Sequence, residues 1–162
     1  MKKQFLLLLT ILVFLSCNEQ KDVKTPAKQK EELVFISPPR KIDENSLIGF
    51  ACYSSGRESK PVTAINKLLL SKDYSGIREK LYSKSVAERY LATAVCQRLE
   101  QKKSLSLTQT DRHQIEKNKI SDEKITICSG CTNEEEMSMK ALFSSKTFLS
   151  DYLENWLNEM IK

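Results

Sequence analysis

The apolar residues near the C-terminus recur in pairs every four positions, which is the spacing of one face of an α-helix. This pattern predicts a C-terminal helix with one apolar stripe. Because an exposed stripe of that size is a liability, we expect the helix to dock on another helix at Ser85–Gln101. The stripe consists of Phe148, Leu149, Tyr152, Leu153, Trp156, Leu157, Met160 and Ile161.

Helical spacing also recurs between residues 59 and 118. Ser59, Asp73, Ser85 and Thr108 each precede such a segment and are residue types that cap helix N-termini. Pro61 falls in a first turn, where its missing N–H is harmless. The segment after Ser85 has a wide apolar arc, which predicts the central helix of the fold; the arc comprises Ala87, Tyr90, Leu91, Ala94, Val95 and Leu99.

Short apolar or alternating runs indicate a few strands. They are Leu33–Ile36, Leu47–Tyr53 and Lys124–Cys128. Leu47–Tyr53 is apolar on both faces, so a strand and a buried helical turn both fit it. Thr132 and the glutamates after it predict a helix through Phe143, although Met137 and Met139 also suit the alternation of a strand.

These elements predict a mainly α fold, either a compact helical bundle or a short helix-pair array, with a few short strands. Three short helices joined by short loops, with the small residues Ala87, Ala92 and Ala94, resemble the antiparallel pairs of HEAT-like repeats. That resemblance covers about forty residues and implies the array form of the fold.

The N-terminus has a different pattern, with Lys2 and Lys3 before an apolar run of eleven residues, Phe5–Leu15. A membrane-spanning helix needs about 20 apolar residues, so the run predicts an export signal. Its end, Phe14-Leu15-Ser16-Cys17, resembles the lipobox of bacterial lipoproteins. The resemblance implies cleavage before Cys17 by a prolipoprotein signal peptidase and lipidation of Cys17. A soluble secreted form and an uncleaved anchored form are the alternatives.

Domain boundaries follow from this signal. Residues 1–16 are the expected signal peptide, and residues 17–32 the lipidated cysteine with a polar tether that buries too little to fold. Residues 33–162 are expected to form a single mainly helical domain. In lipoproteins an aspartate after the lipidated cysteine favours the inner membrane, so Asn18 implies the outer membrane by the same resemblance.

Charge excludes one class of partner. Without residues 1–16 the chain has 24 basic and 21 acidic residues, a formal charge of +3 with both signs interspersed. An exported protein of this kind has no electrostatic case for nucleic-acid binding. The expected partners are the membrane, through the lipid anchor, and an envelope protein or a cell-wall component.

The motif Cys128-Ser129-Gly130-Cys131 is the main candidate for chemistry. Two thiols at this spacing can form a structural disulfide, act in redox exchange or supply half of a zinc site. Because export favours oxidation, we expect a Cys128–Cys131 disulfide. Cys52 and Cys96 are expected to be buried small residues, with a mutual disulfide or a zinc site shared with Cys128 and Cys131 as alternatives.

Other catalytic patterns are weak. His113 is the only histidine and falls on a polar helix face, the four glycines do not cluster, and no serine lies in a nucleophile elbow. We therefore expect no cofactor and no metal. The sequence favours a non-catalytic binding or structural module of the cell envelope. The alternative is a thiol-redox or zinc-dependent activity at Cys128 and Cys131.

Overall fold

A computed structural model describes residues 43–130 and 133–162. These residues lie within one compact unit, Pro39–Lys162. Several predictions fall outside the described residues, among them the export signal, Cys17, the tether, the Leu33–Ile36 run and Cys131.

The described part of the chain is mainly helical, with one small sheet, and this confirms the predicted fold class. Whether the helices form a HEAT-like array stays a prediction. A 3₁₀ turn, Lys80–Tyr82, follows the second helix. In chain order the other elements are β1 (Leu47–Ile48), α1 (Lys60–Leu70), α2 (Tyr74–Glu79), α3 (Val86–Gln101), α4 (Gln109–Lys119), β2 (Lys124–Ser129), β3 (Asn133–Ser138), α5 (Met139–Ser144) and α6 (Phe148–Met160).

The helices begin where the polar caps predict. Asp73 accepts a hydrogen bond from the Gly76 amide, and the Ser85 hydroxyl accepts one from the Glu88 amide. Thr108 begins α4 with a full capping box, in which its own amide donates back to a carboxylate three residues later. Each bond satisfies an amide that the helix itself leaves without a partner.

The sheet has the order β1-β2-β3, with β1 parallel and β3 antiparallel to β2. The helix expected from Thr132 is therefore wrong in its start: residues 133–138 form a strand, and the helix begins at Met139. Pairing along the whole of β2 explains the strand, because β2 would otherwise leave one edge of its backbone without partners.

The core lies between the helices and one face of the sheet. The central helix α3 is buried over most of its length, as predicted, and Ile48, Ile125 and Ile127 cover it from the sheet side. The stripe on α6 is narrower than expected, because Phe148 and Tyr152 are exposed while Leu149, Leu153 and Trp156 are buried.

The docking of α6 involves two helices. Arg98 of α3 forms an ion pair with Glu154, as expected from the predicted contact with α3. Trp156 instead faces α1, where its indole N–H donates to Asn66 Oδ1 at 2.8 Å. Within residues 43–130 and 133–162, no helix combines the length and apolar character needed to cross a bilayer.

Candidate functional site

The cysteines give the first candidate site. Cys128 is joined to Cys52, with the Cα atoms 5.4 Å apart and 76 positions between them in sequence. A sulfur forms one disulfide at a time, so this pairing competes with the expected bond between Cys128 and Cys131, of which Cys131 lies outside the described residues. The physical reason is the sheet: β1 lies parallel beside β2, and a bridge between Cys52 and Gly130 brings Cys52 to the end of β2.

The disulfide packs against the bare Cα of Gly49. A Cβ added there would lie 2.2 Å from Cys128 Sγ and 2.3 Å from Cys52 Sγ, closer than atoms approach without a shift. Ser59 fixes Gly49 from the other side, since its hydroxyl accepts from the Gly49 amide at 3.2 Å and its amide donates to the Gly49 carbonyl at 2.9 Å. This is why Ser59, although it precedes α1, makes no side-chain cap.

Both cysteines are buried. Cys52 is 2% exposed and Cys128 4% exposed. An attacking thiolate must reach a disulfide sulfur in line, so burial hinders exchange at this bond. The geometry therefore favours a structural disulfide.

The residues beside the disulfide form a short turn. Cys52 and Arg57 exchange two backbone hydrogen bonds, of 2.7 and 3.2 Å. The Tyr53 hydroxyl, in the same turn, donates to Glu134 of β3 at 3.2 Å. Partial burial and this bond with Glu134 both raise the pKa of Tyr53, so its hydroxyl stays a donor at neutral pH.

The structure does not assemble the zinc alternative. Cys96 is a free thiol in the core, and its burial, with the charge of Asp111, raises its pKa to about 12. Cys52 and Cys128 are bonded to each other and have no thiolate to offer. Across the described ranges, 43–130 and 133–162, no group of three or more histidine, cysteine or acidic residues is arranged to hold a metal. His113 is exposed on α4.

A second candidate is a groove of about 440 Å³ between α3 and the α5–α6 pair, called here the α3–α6 groove. The sequence did not predict this groove, because the groove depends on the distance at which α3 and α6 pack. Its walls are formed by Tyr90, Ala94, Gln97, Arg98 and Gln101 on one side and by Leu142, Phe143, Ser144, Ser145, Lys146, Ser150, Asp151, Leu153, Glu154 and Leu157 on the other.

Aromatic residues form the floor of the α3–α6 groove. The rings of Tyr90 and Phe143 lie 4.7 Å apart, inclined by 44°. Tyr90 is only 1% exposed, and its hydroxyl makes no hydrogen bond within the described part of the chain. Burial, and then the nearby charge of Glu154, raise the pKa of Tyr90, so this hydroxyl is neutral at ordinary pH.

Polar groups form the rim. Arg98 pairs with Glu154 and donates to Asn158 Oδ1 at 2.7 Å, so its charge is already compensated. Lys146 and Asp151, both exposed, supply one charge of each sign. The lining therefore has two cations and two anions, and the groove has no formal net charge.

Comparisons with known proteins give no family. The chain matches no protein family model, no curated protein and no solved structure.

Proposed function

We propose that the chain is an exported lipoprotein of the cell envelope whose folded part is a non-catalytic binding module. The observation that carries the proposal is the N-terminal pattern, in which Lys2 and Lys3 precede an apolar run that ends at Phe14-Leu15-Ser16-Cys17. This pattern resembles the signal of bacterial lipoproteins, with Cys17 as the lipid acceptor.

The disulfide supports export. Disulfides persist outside the cytoplasm, where no thiol pool reduces them, and they are rare inside it. A bond between Cys52 and Cys128 with both sulfurs buried is suited to such a compartment. The polar tether before the domain has a root-mean-square reach of roughly 20 Å, enough to hold a domain clear of the headgroups.

The α3–α6 groove supports binding. Small-molecule sites occupy about 300–1,000 Å³ and combine an apolar lining with a few polar groups. The groove, at about 440 Å³, has an aromatic floor and a polar rim. By the resemblance at Asn18, the proposed location is the outer membrane, and the proposed partners are a cell-wall component or an envelope protein.

The anchor is tested by Cys17→Ala in cells that process lipoproteins. We expect the variant to accumulate as a precursor of higher mass that keeps the apolar run Phe5–Leu15 and carries no lipid, since Cys17 is both cleavage marker and lipid acceptor. Cys96→Ala is the matched control, because Cys96 is a free buried thiol; it should be processed like the natural chain. Normal processing of Cys17→Ala, or lipid still attached to it, would refute the anchor.

The thiol-redox alternative is tested on the same protein. Alkylation followed by intact mass measurement, with and without reductant, should show two cysteines protected by the bond between Cys52 and Cys128. Alkylation of both without reductant would favour a reduced pair and an activity at the cysteines. Bound zinc in the purified protein would favour the metal alternative.

A further inference from the structure

The Tyr90 hydroxyl makes no hydrogen bond to another described residue and reaches the solvent of the groove. Within residues 43–130 and 133–162, every side-chain nitrogen or oxygen that is sealed from solvent has a hydrogen-bond partner. The Tyr90 hydroxyl has none, so its oxygen is not sealed, and the space that Tyr90 lines is the α3–α6 groove. A hydroxyl that reaches solvent through the groove can donate to and accept from a molecule bound there.

We propose that the α3–α6 groove binds an uncharged saccharide whose hydroxyl hydrogen-bonds to Tyr90 at the floor. The proposal rests on the proposed function, since an envelope protein lies beside the glycan of the cell wall. The saccharide proposal adds the chemical class of the ligand and names Tyr90 as the residue that binds it.

The charges indicate an uncharged ligand. The Arg98 cation is paired with Glu154, and the remaining Lys146 and Asp151 cancel each other. Phosphate and other anions are held in proteins by several cations or amides together, whereas the lining of this groove offers one cation without an ion-pair partner among the described residues, Lys146. The groove likewise has no excess of carboxylates that would hold a cationic ligand.

The other lining groups indicate a saccharide. A sugar ring presents hydroxyls at its edge, which donate and accept, and C–H groups on its faces. The Tyr90 hydroxyl and the primary amides of Gln97 and Gln101 each offer both donor and acceptor capacity. Phe143, half-buried in the lining and packed on Tyr90, offers an aromatic surface for the C–H face.

The test uses N,N′-diacetylchitobiose, an uncharged disaccharide, titrated into the full chain in detergent and followed by calorimetry. The natural chain should bind it. Tyr90→Phe removes one oxygen that has no partner in the described part of the chain, so the unfolding midpoint should stay unchanged while affinity falls about 3- to 10-fold. Gln97→Ala, a second variant at the rim, should also weaken binding.

Tyr82→Phe is the matched control, because the Tyr82 hydroxyl bonds to Asp111 and Tyr82 is not among the groove residues. It should lower the unfolding midpoint and leave affinity unchanged. Sedimentation with purified peptidoglycan shows whether the saccharide belongs to the cell-wall polymer or is a free sugar. If the natural chain pellets with peptidoglycan and Tyr90→Phe does not, the ligand is the wall polymer. If the natural chain binds only the soluble disaccharide, the ligand is a free sugar.

Three results would overturn the proposal: no binding of either saccharide, equal affinity of Tyr90→Phe and the natural chain, or tighter binding of inorganic phosphate or a zwitterionic dipeptide than of the disaccharide. None of these affects the processing of Cys17, so failure here is distinct from failure of the lipoprotein assignment.

Discussion

Asp111 is a single residue on which a buried polar cluster depends. It is 5% exposed, accepts from the Thr108 amide at 2.9 Å and the Tyr82 hydroxyl at 3.1 Å, and lies 3.7 Å from Arg78 Nε. Burial alone would raise its pKa, but the hydrogen bonds from Thr108 and Tyr82 and the charge of Arg78 outweigh burial and lower it. Ionised Asp111 therefore ties α4 to the 3₁₀ turn.

Stability should depend on the ionisation of Asp111. Because folding lowers its pKa, the stabilisation is fully present above the unfolded value of about 3.9 and is lost as pH falls through the folded value. Asp111→Asn should lower the free energy of unfolding by about 1–2 kcal/mol at neutral pH and flatten the decline between about pH 5 and pH 2. Urea unfolding across this range measures both effects.

The control for Asp111 is Asp122→Asn, an exposed carboxylate just after α4. Its unfolding free energy should stay within about 0.5 kcal/mol of the natural chain, with the same pH dependence. Equal pH profiles for Asp111→Asn and the natural chain would contradict the assigned role.

At the scale of elements, Trp156 is the side chain that connects α6 to α1. Trp156 is 7% exposed, its ring centroid lies 5.4 Å from that of Phe50, and its indole N–H donates to Asn66. Asn66 in turn donates to Glu58 at 2.7 Å. Trp156 thus links α6 to α1 and to the residues after β1.

Trp156→Ala should lower the free energy of unfolding by about 3–5 kcal/mol, a large part of the 5–15 kcal/mol of an ordinary domain. We expect a largely molten or degraded protein. Acrylamide should quench this single tryptophan weakly in the folded natural chain. His113→Ala is the control. Because His113 lies on an exposed face of α4, this substitution should leave the free energy of unfolding nearly unchanged. Strong quenching together with unchanged stability would make the α6 stripe a docking face for a partner.

The elements that sequence predicted well are those whose signals are local. Thr108 and Asp111 lie three positions apart, so their capping box is visible in the chain itself. For residues 133–138 the sequence left a helix and a strand both open, because the glutamates after Thr132 suit a helix start and Met137 and Met139 suit the alternation of a strand. Residues 133–138 form a strand because they pair with β2, which is a nonlocal contact that the local sequence does not show.

The same distinction applies to the candidate sites. Cys131 is close to Cys128 in sequence, and this proximity favoured it as the partner, whereas the sheet brings Cys52 to Cys128 from 76 positions away. Tyr90 was predicted as a core residue and is one. That its hydroxyl opens into a groove depends on the spacing of α3 and α6, which periodicity cannot give.

At the scale of the whole molecule, the disulfide encloses most of the helical body. The loop between Cys52 and Cys128 contains α1 through α4. A cross-link restricts the unfolded chain more as its loop grows, from about 3 kcal/mol for 15 residues to about 4.7 kcal/mol for 100. The expected Cys128–Cys131 bond, with its very small loop, predicted an effect of only about 1–2 kcal/mol for Cys128→Ser.

With the observed pairing, the expected loss of unfolding free energy rises to about 3–5 kcal/mol and is the same for Cys52→Ser and Cys128→Ser. Guanidinium unfolding measures it, and reductant should bring the natural chain to the stability of either variant. Cys96→Ala should remain sensitive to reductant, because the Cys96 thiol is free and takes no part in the disulfide.

Cys131→Ser separates the two pairings. If Cys128 is bonded to Cys52, Cys131→Ser should leave the stability of the oxidised protein unchanged. If Cys131→Ser matched Cys128→Ser and Cys52→Ser had no effect, the bond would join Cys128 to Cys131 and the helical body would fold without a long-range cross-link.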